Sequence, residues 1–75
     1  MKPEGLTNIV NARGLFTYDL YGAMRMFGLR ASTQRRRIWI EGTEAHFFDL
    51  AREKDLQRFY RWRDALLARR EARRR

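Results

Sequence analysis

The strongest constraint on this chain is a single apolar stripe in its C-terminal third. Leu56, Phe59, Tyr60, Leu66 and Leu67 fall at i, i+3, i+4, i+10 and i+11, with Trp62 on the flank, which is the spacing of one face of an α-helix. Asp49 stands where an N-cap is wanted. Glu53 and Asp55 lie early and Arg69 and Arg70 late, the charge order that a helix macrodipole favours. The pattern predicts a helix over 49–72, about 36 Å long at about 1.5 Å per residue. In a chain of 75 residues the remainder is too short to cover such a helix along its whole length. The stripe is therefore both a candidate core and a candidate partner interface, formed by Leu56, Phe59, Tyr60, Trp62, Leu66 and Leu67.

The rest of the chain supplies less regular signals. Residues 1–14 hold the only proline together with Gly5, Asn8, Asn11 and Gly14, and read as an N-terminal arm or loop with one apolar contact at Leu6, Ile9 and Val10. Thr17 suits an N-cap, Asp19 the first turn, and Gly28 the left-handed position that ends a helix, so a helix is predicted over 17–27. Gly22 inside it is unfavourable by about 1 kcal/mol relative to Ala. Residues 31–48 admit two readings. In one, Ser32 caps a short helix from Thr33 to Ile40. In the other, Arg37-Ile38-Trp39-Ile40 is a strand that turns at Glu41-Gly42-Thr43-Glu44 and returns through Ala45-His46-Phe47-Phe48. A short helix over 32–37 followed by a small hairpin combines them and is the preferred expectation. The predicted fold is a small, mainly α single domain over 1–75: helix 17–27, short helix and/or β-hairpin over 32–48, long basic helix 49–72, and an Arg-rich tail at 69–75.

Charge then narrows the function. Seventeen Lys+Arg against nine Asp+Glu give a net charge of +8, and only Lys2 and Lys54 are lysine. The excess is clustered. Arg30, Arg35, Arg36 and Arg37 occur within 30–40 without an acid, and seven arginines face only Asp64 and Glu71 within 61–75. Guanidinium groups bind phosphate or guanine edges bidentately and stack on bases, which points to a polyanionic partner, above all nucleic acid. Cysteine is absent, which removes disulfides, thiolate ligands and a thiol nucleophile. No apolar run reaches the roughly 20 residues of a membrane-spanning helix. The first residues do not resemble a secretory signal, so an intracellular location is expected. His46 is the only histidine and Ser32 the only serine, and no phosphate-binding glycine loop is present. The expectation is a non-enzymatic protein without a metal or other cofactor.

The segment from Ala23 to Ile38 resembles a helix-turn-helix DNA reader. In that motif a small residue, here Ala23, permits close helix crossing, and a glycine, here Gly28, makes the turn. Leu29 follows, Ser32 or Thr33 caps the second helix, and Ile38 lies on its buried side. Gln34 departs from the motif, which places an apolar residue there. The resemblance implies that Arg30, Arg35, Arg36 and Arg37 contact phosphates or bases in a major groove. The other reading of the segment is a helix, a glycine turn and a basic strand or loop.

In the C-terminal block, Arg58, Arg61, Arg63, Arg69 and Arg70 are interleaved with Phe59, Tyr60 and Trp62, a pairing of cations and rings that suits exposed bases. Arg73, Arg74 and Arg75 extend it as a phosphate-binding tail. The leading expectation is thus binding of DNA or RNA through arginines 30–37 and 58–75, as a DNA-binding regulator or a part of an RNA–protein assembly. A second expectation is a protein-interaction module that docks the helix stripe on a partner or on a second copy. A third lays the basic helix on an anionic membrane surface.

Overall fold

In the computed structural model, which describes residues 12–74, a 3-10 turn at Ala12–Leu15 leads into helix α1 at Tyr18–Met26. Three strands follow, β1 at Leu29–Gln34, β2 at Arg37–Gly42 and β3 at His46–Asp49, and helix α2 closes the chain at Glu53–Arg74. Of the arm expected over 1–14, residues 1–11 lie outside the described residues, as does Arg75, and residues 12–14 belong to the 3-10 turn. Of the described residues 56% are helical and 25% are in strands, so the fold is α+β and the mainly α expectation is corrected.

Helix α1 forms as its end signals require. The Thr17 hydroxyl accepts from the Leu20 N–H at 3.2 Å, Asp19 lies in the first turn, and Leu20, Ala23 and Met24 face inward. Phe27 is the C-cap, and Gly28 follows with φ +71°, the left-handed step that a side chain would oppose. Gly22 has a separate reason. A Cβ there would stand 3.1 Å from the Arg70 guanidinium, so the missing side chain lets Arg70 lie against the α1 backbone.

The chain beyond Gly28 is a strand, and the helix-turn-helix expectation fails here. β1 pairs antiparallel with β2 from Leu29↔Gly42 to Gln34↔Arg37, and β2 pairs with β3 from Arg37↔Asp49 to Ile40↔His46. The short helix expected over 32–37 is absent because residues 29–34 alternate between inward and outward sides, with period 2. The apolar Ile38-Trp39-Ile40 strand recruits this polar segment as its neighbour, overriding the weak capping signal of Ser32. The expected β2–β3 hairpin is present. The sheet order is β1-β2-β3, with both helices on one face: α1 packs on α2 and β1, and α2 on β3.

Leu29, Ile38, Ile40 and Phe48 project from the inner face of the sheet into the core, where they join Leu20 and Met24 of α1 and Phe59 and Leu66 of α2. Phe59 is its centre. Its ring meets Phe48 at 5.5 Å, Trp62 at 5.7 Å and Phe16 at 5.8 Å, with edge contacts to both phenylalanines.

α2 starts four residues later than the spacing predicts, and Asp49 is not its cap. Asp49 ends β3, its carboxylate accepts the Ala51 N–H at 3.1 Å, and its own N–H donates to Asp55 Oδ2 at 2.8 Å. Buried Leu50 holds this turn down and donates its N–H to the Arg36 carbonyl. The helix then runs about 33 Å at about 1.5 Å per residue, along the long axis of a body measuring 47 × 21 × 20 Å.

Candidate nucleic-acid interface

The β1–β2 connection consists of Arg35 and Arg36 alone. A hairpin turn this tight needs left-handed backbone and favours glycine or asparagine, yet Arg35 occupies it at φ +58°. Both turn carbonyls are tied down: Ala12 N–H donates to Arg35 O at 2.7 Å and Leu50 N–H to Arg36 O at 2.8 Å. The tip is thus a fixed platform from which the arginines project. Arg35, Arg36 and Arg37 line a groove of about 670 Å³ with Gln34, Asp49 and Ala51. A second groove of about 490 Å³ continues from Arg37 and Asp49 to Trp39, Phe47, Arg52 and Asp55. The side chains of Arg35, Arg36, Arg37 and Arg52 make no hydrogen bond or ion pair with any described residue. Sequence reasoning missed Arg52, because only the β3–α2 turn brings it to the tip.

The outer face of the sheet adds a feature that the sequence reading also missed. Trp39 and Phe47 are cross-strand partners on the side away from Ile38, Ile40 and Phe48. Their ring centroids lie 5.4 Å apart, and Phe47 is 44% exposed. Alternation within Ile38-Trp39-Ile40 carried that signal, since two buried isoleucines force the tryptophan outward. Arg30, Ser32 and Gln34 of β1 face the same way, with Glu41 opposite Arg30.

The C-terminal arginines are placed differently. Arg70 donates to the Asp19 carbonyl at 3.0 Å and lies 3.8 Å from the Asp19 carboxylate, with its side chain largely buried. Arg69 sits 4.4 Å over the Phe27 ring and 3.4 Å from Glu44, and Arg73 sits 5.4 Å over the same ring. Through these contacts Arg69, Arg70 and Arg73 tie the distal half of α2 to both ends of α1 and to the β2–β3 turn. Three arginines of the expected Arg-rich tail are thereby engaged by other described residues. Glu44 also meets His46 Nε2 at 2.7 Å; that hydrogen bond, with help from Arg69 and against partial burial, holds its carboxyl below the usual 4.5. Arg58 donates to the Phe47 carbonyl at 2.7 Å, lies near Asp55 and stacks on Phe48. Arg63 pairs with Asp64 and covers Tyr60. Arg61 and Arg74 are exposed on α2 with no ion pair or hydrogen bond to a described residue. Arg69 and Arg70 contact Glu44 and Asp19, whereas the hairpin tip is held by Ala12 and Leu50.

The expected interaction stripe is occupied. Leu56, Phe59 and Leu66 are buried in the chain's own core, and Tyr60, Trp62 and Leu67 pack half-buried against it. His46 lies on the inner side of β3, its ring stacked on Phe48 at 5.8 Å. Among the described residues no cluster of three metal-ligating side chains occurs, and no helix is long and apolar enough to cross a membrane. No protein family, characterised protein or solved structure matches this chain.

Proposed function

We propose that this chain is a small non-enzymatic nucleic-acid-binding protein whose phosphate contacts are made by Arg35, Arg36, Arg37 and Arg52 at the hairpin tip. One observation carries this reading: Arg35, Arg36 and Arg37 on a clamped turn, and Arg52 in the groove that continues from Arg37, make no hydrogen bond or ion pair with any described residue. Arg35 and Arg36 have no acid opposite them and repel one another, which a bound polyanion relieves, while Asp49 across from Arg37 offsets part of the charge in the adjoining groove. The positive φ of Arg35 supports it further, because an arginine is kept where glycine would be relaxed. His46 is engaged with Phe48 and Glu44, which fits a structural role and a binding rather than catalytic protein. Leu56, Phe59 and Leu66 of the helix stripe are buried in the core, which supports the nucleic-acid reading over a module that docks the whole stripe.

The test is binding to labelled nucleic acid across a salt series, read by fluorescence anisotropy. If the four tip arginines each engage one phosphate of a duplex, log affinity falls against log salt with a slope of about −3.6. Arg35→Ala/Arg36→Ala/Arg37→Ala should flatten that slope by about 2 to 3. A flat salt dependence of the unaltered protein would overturn the proposal.

A further inference from the structure

Both helices cover the inner face of the sheet, and no described element lies over the outer one. On that outer face Trp39 and Phe47 present two adjacent rings, tilted by 42° and bordered by Arg37 and Arg52. We infer that this face is a stacking platform for the unpaired bases of a single-stranded nucleic acid, with the hairpin tip holding the adjoining phosphates. The inference rests on the nucleic-acid reading above and specifies the class of strand.

Three features favour this occupant. An aromatic ring exposed beside guanidiniums offers both a π-face for a base and a cation for its phosphate, and every base has a π-face. Duplex bases are already stacked on one another, so only an unpaired strand can use the rings. The charge pattern also sorts bases from phosphates. Across the sheet face Glu41 stands opposite Arg30 and Asp49 opposite Arg37, which leaves that surface near neutral, whereas the tip carries unopposed Arg35 and Arg36. Asp49 and Asp55 beside the rings offset the charge of Arg37 and Arg52 and can accept from base amino groups. Both carboxylates are fixed by backbone N–H donors from Ala51 and Asp49. Ser32 and Gln34, outward on β1, add polar groups next to Trp39 and Arg37 for base edges.

The experiment compares a fluorescein-labelled oligo-uridine, the matching oligo-thymidine and a duplex of equal length, all against the full chain. Trp39→Val and Phe47→Val remove one ring each while keeping a β-branched residue suited to a strand, and thermal melts confirm that both variants fold. The expected result is a single strand bound at least about tenfold tighter than the duplex. Each ring variant should weaken that strand about 5- to 150-fold and the duplex hardly at all. Binding should also quench the part of the tryptophan emission that Trp39→Val removes. The two single strands distinguish RNA from DNA as the source of the bases, and preference for either supports the platform. Equal affinity for strand and duplex with neutral ring variants overturns the platform. The tip reading then survives if Arg35→Ala/Arg36→Ala/Arg37→Ala still weakens both ligands. If no nucleic acid binds, both readings fall. A dimer seen in sedimentation and abolished by Trp39→Val, without strand binding, would assign the face to a second copy and likewise overturn the inference.

Discussion

Arg35-Arg36-Arg37 and the triplet Arg69, Arg70 and Arg73 have the same charge, and composition treats them alike. The fold uses them in opposite ways. The hairpin triplet is held by its backbone, through the Ala12 and Leu50 N–H groups, and its side chains pair with no described residue. The helix triplet is held by its side chains, against Phe27, Glu44 and the Asp19 carbonyl. The difference follows from where each block meets apolar surface. A two-residue turn offers its guanidiniums nothing to lie on. An amphipathic helix crossing α1 carries its arginines over a ring and a glycine, where the flat guanidinium packs. A cluster of arginines is thus available to a ligand only where the fold has not already engaged it.

The largest test of this contrast removes the apolar floor of the helix block. Leu66 is 1% exposed and anchors the distal half of α2, so Leu66→Ala should destabilise the protein by about 2–5 kcal/mol in denaturant titration. Trp39→Val, on the outer face, should cost far less. A smaller effect sharpens the account of Gly22. Gly→Ala inside a helix ordinarily stabilises by about 0.5–1 kcal/mol. Here Gly22→Ala should fail to do so, because the new methyl meets the Arg70 guanidinium. In the Arg70→Ala background the usual gain should return, and a double-mutant cycle reads this directly. Full gain in the unaltered background would show that Arg70 is not held against α1.

Arg35→Gly probes the hairpin block. It relaxes the left-handed backbone at φ +58° and should raise stability by about 0.5–1 kcal/mol while weakening nucleic-acid binding. A loss of stability would mean that the arginine side chain supports the turn. The smallest effect concerns Glu44. Its carboxyl is held below 4.5 when folded, so its contribution is present above that pH and is lost as the pH falls through the lowered value. Melting temperature should drop on acidification below about pH 4.5, and Glu44→Gln, which removes the titrating group, should show a shallower drop.

How much of this was legible in the sequence depends on how local each signal was. α1 was readable from Thr17, Asp19 and Gly28 because caps act within a turn of their own residue. The β2–β3 hairpin was readable from Ile38-Trp39-Ile40 and Gly42. β1 was not, since Arg30-Ala31-Ser32-Thr33-Gln34 becomes a strand by pairing with β2, and its Gly-Leu-x-x-Ser start imitates a helix-turn-helix. The start of α2 was misplaced because Asp49 is as good a turn former as a cap, and Leu50's bond to Arg36 decides between them. In the candidate site Arg35, Arg36 and Arg37 were found as a charge run. Arg52 was not, lying beside acids in sequence and beside the hairpin tip only in space. Trp39 and Phe47 are legible as hairpin residues, and their outward side follows only from alternation with buried Ile38, Ile40 and Phe48. Among the arginines of α2, no charge count separates Arg70, lying on Gly22, from exposed Arg74; that required the helix crossing.

The division of labour between the two triplets is tested most directly by Arg35→Ala/Arg36→Ala/Arg37→Ala and Arg69→Ala/Arg70→Ala/Arg73→Ala. Each variant removes three positive charges, so long-range attraction to a polyanion is reduced equally. The measurement is a thermal melt paired with single-strand affinity at low salt and at a temperature where both variants are folded. The hairpin variant should keep its melting temperature within a few degrees and lose affinity at least about tenfold. The helix variant should lose roughly 10 °C, corresponding to about 2 kcal/mol, and keep affinity within about threefold. Equal loss of affinity from both variants, with melting temperatures unchanged, would contradict the account and return the protein to an undivided basic surface.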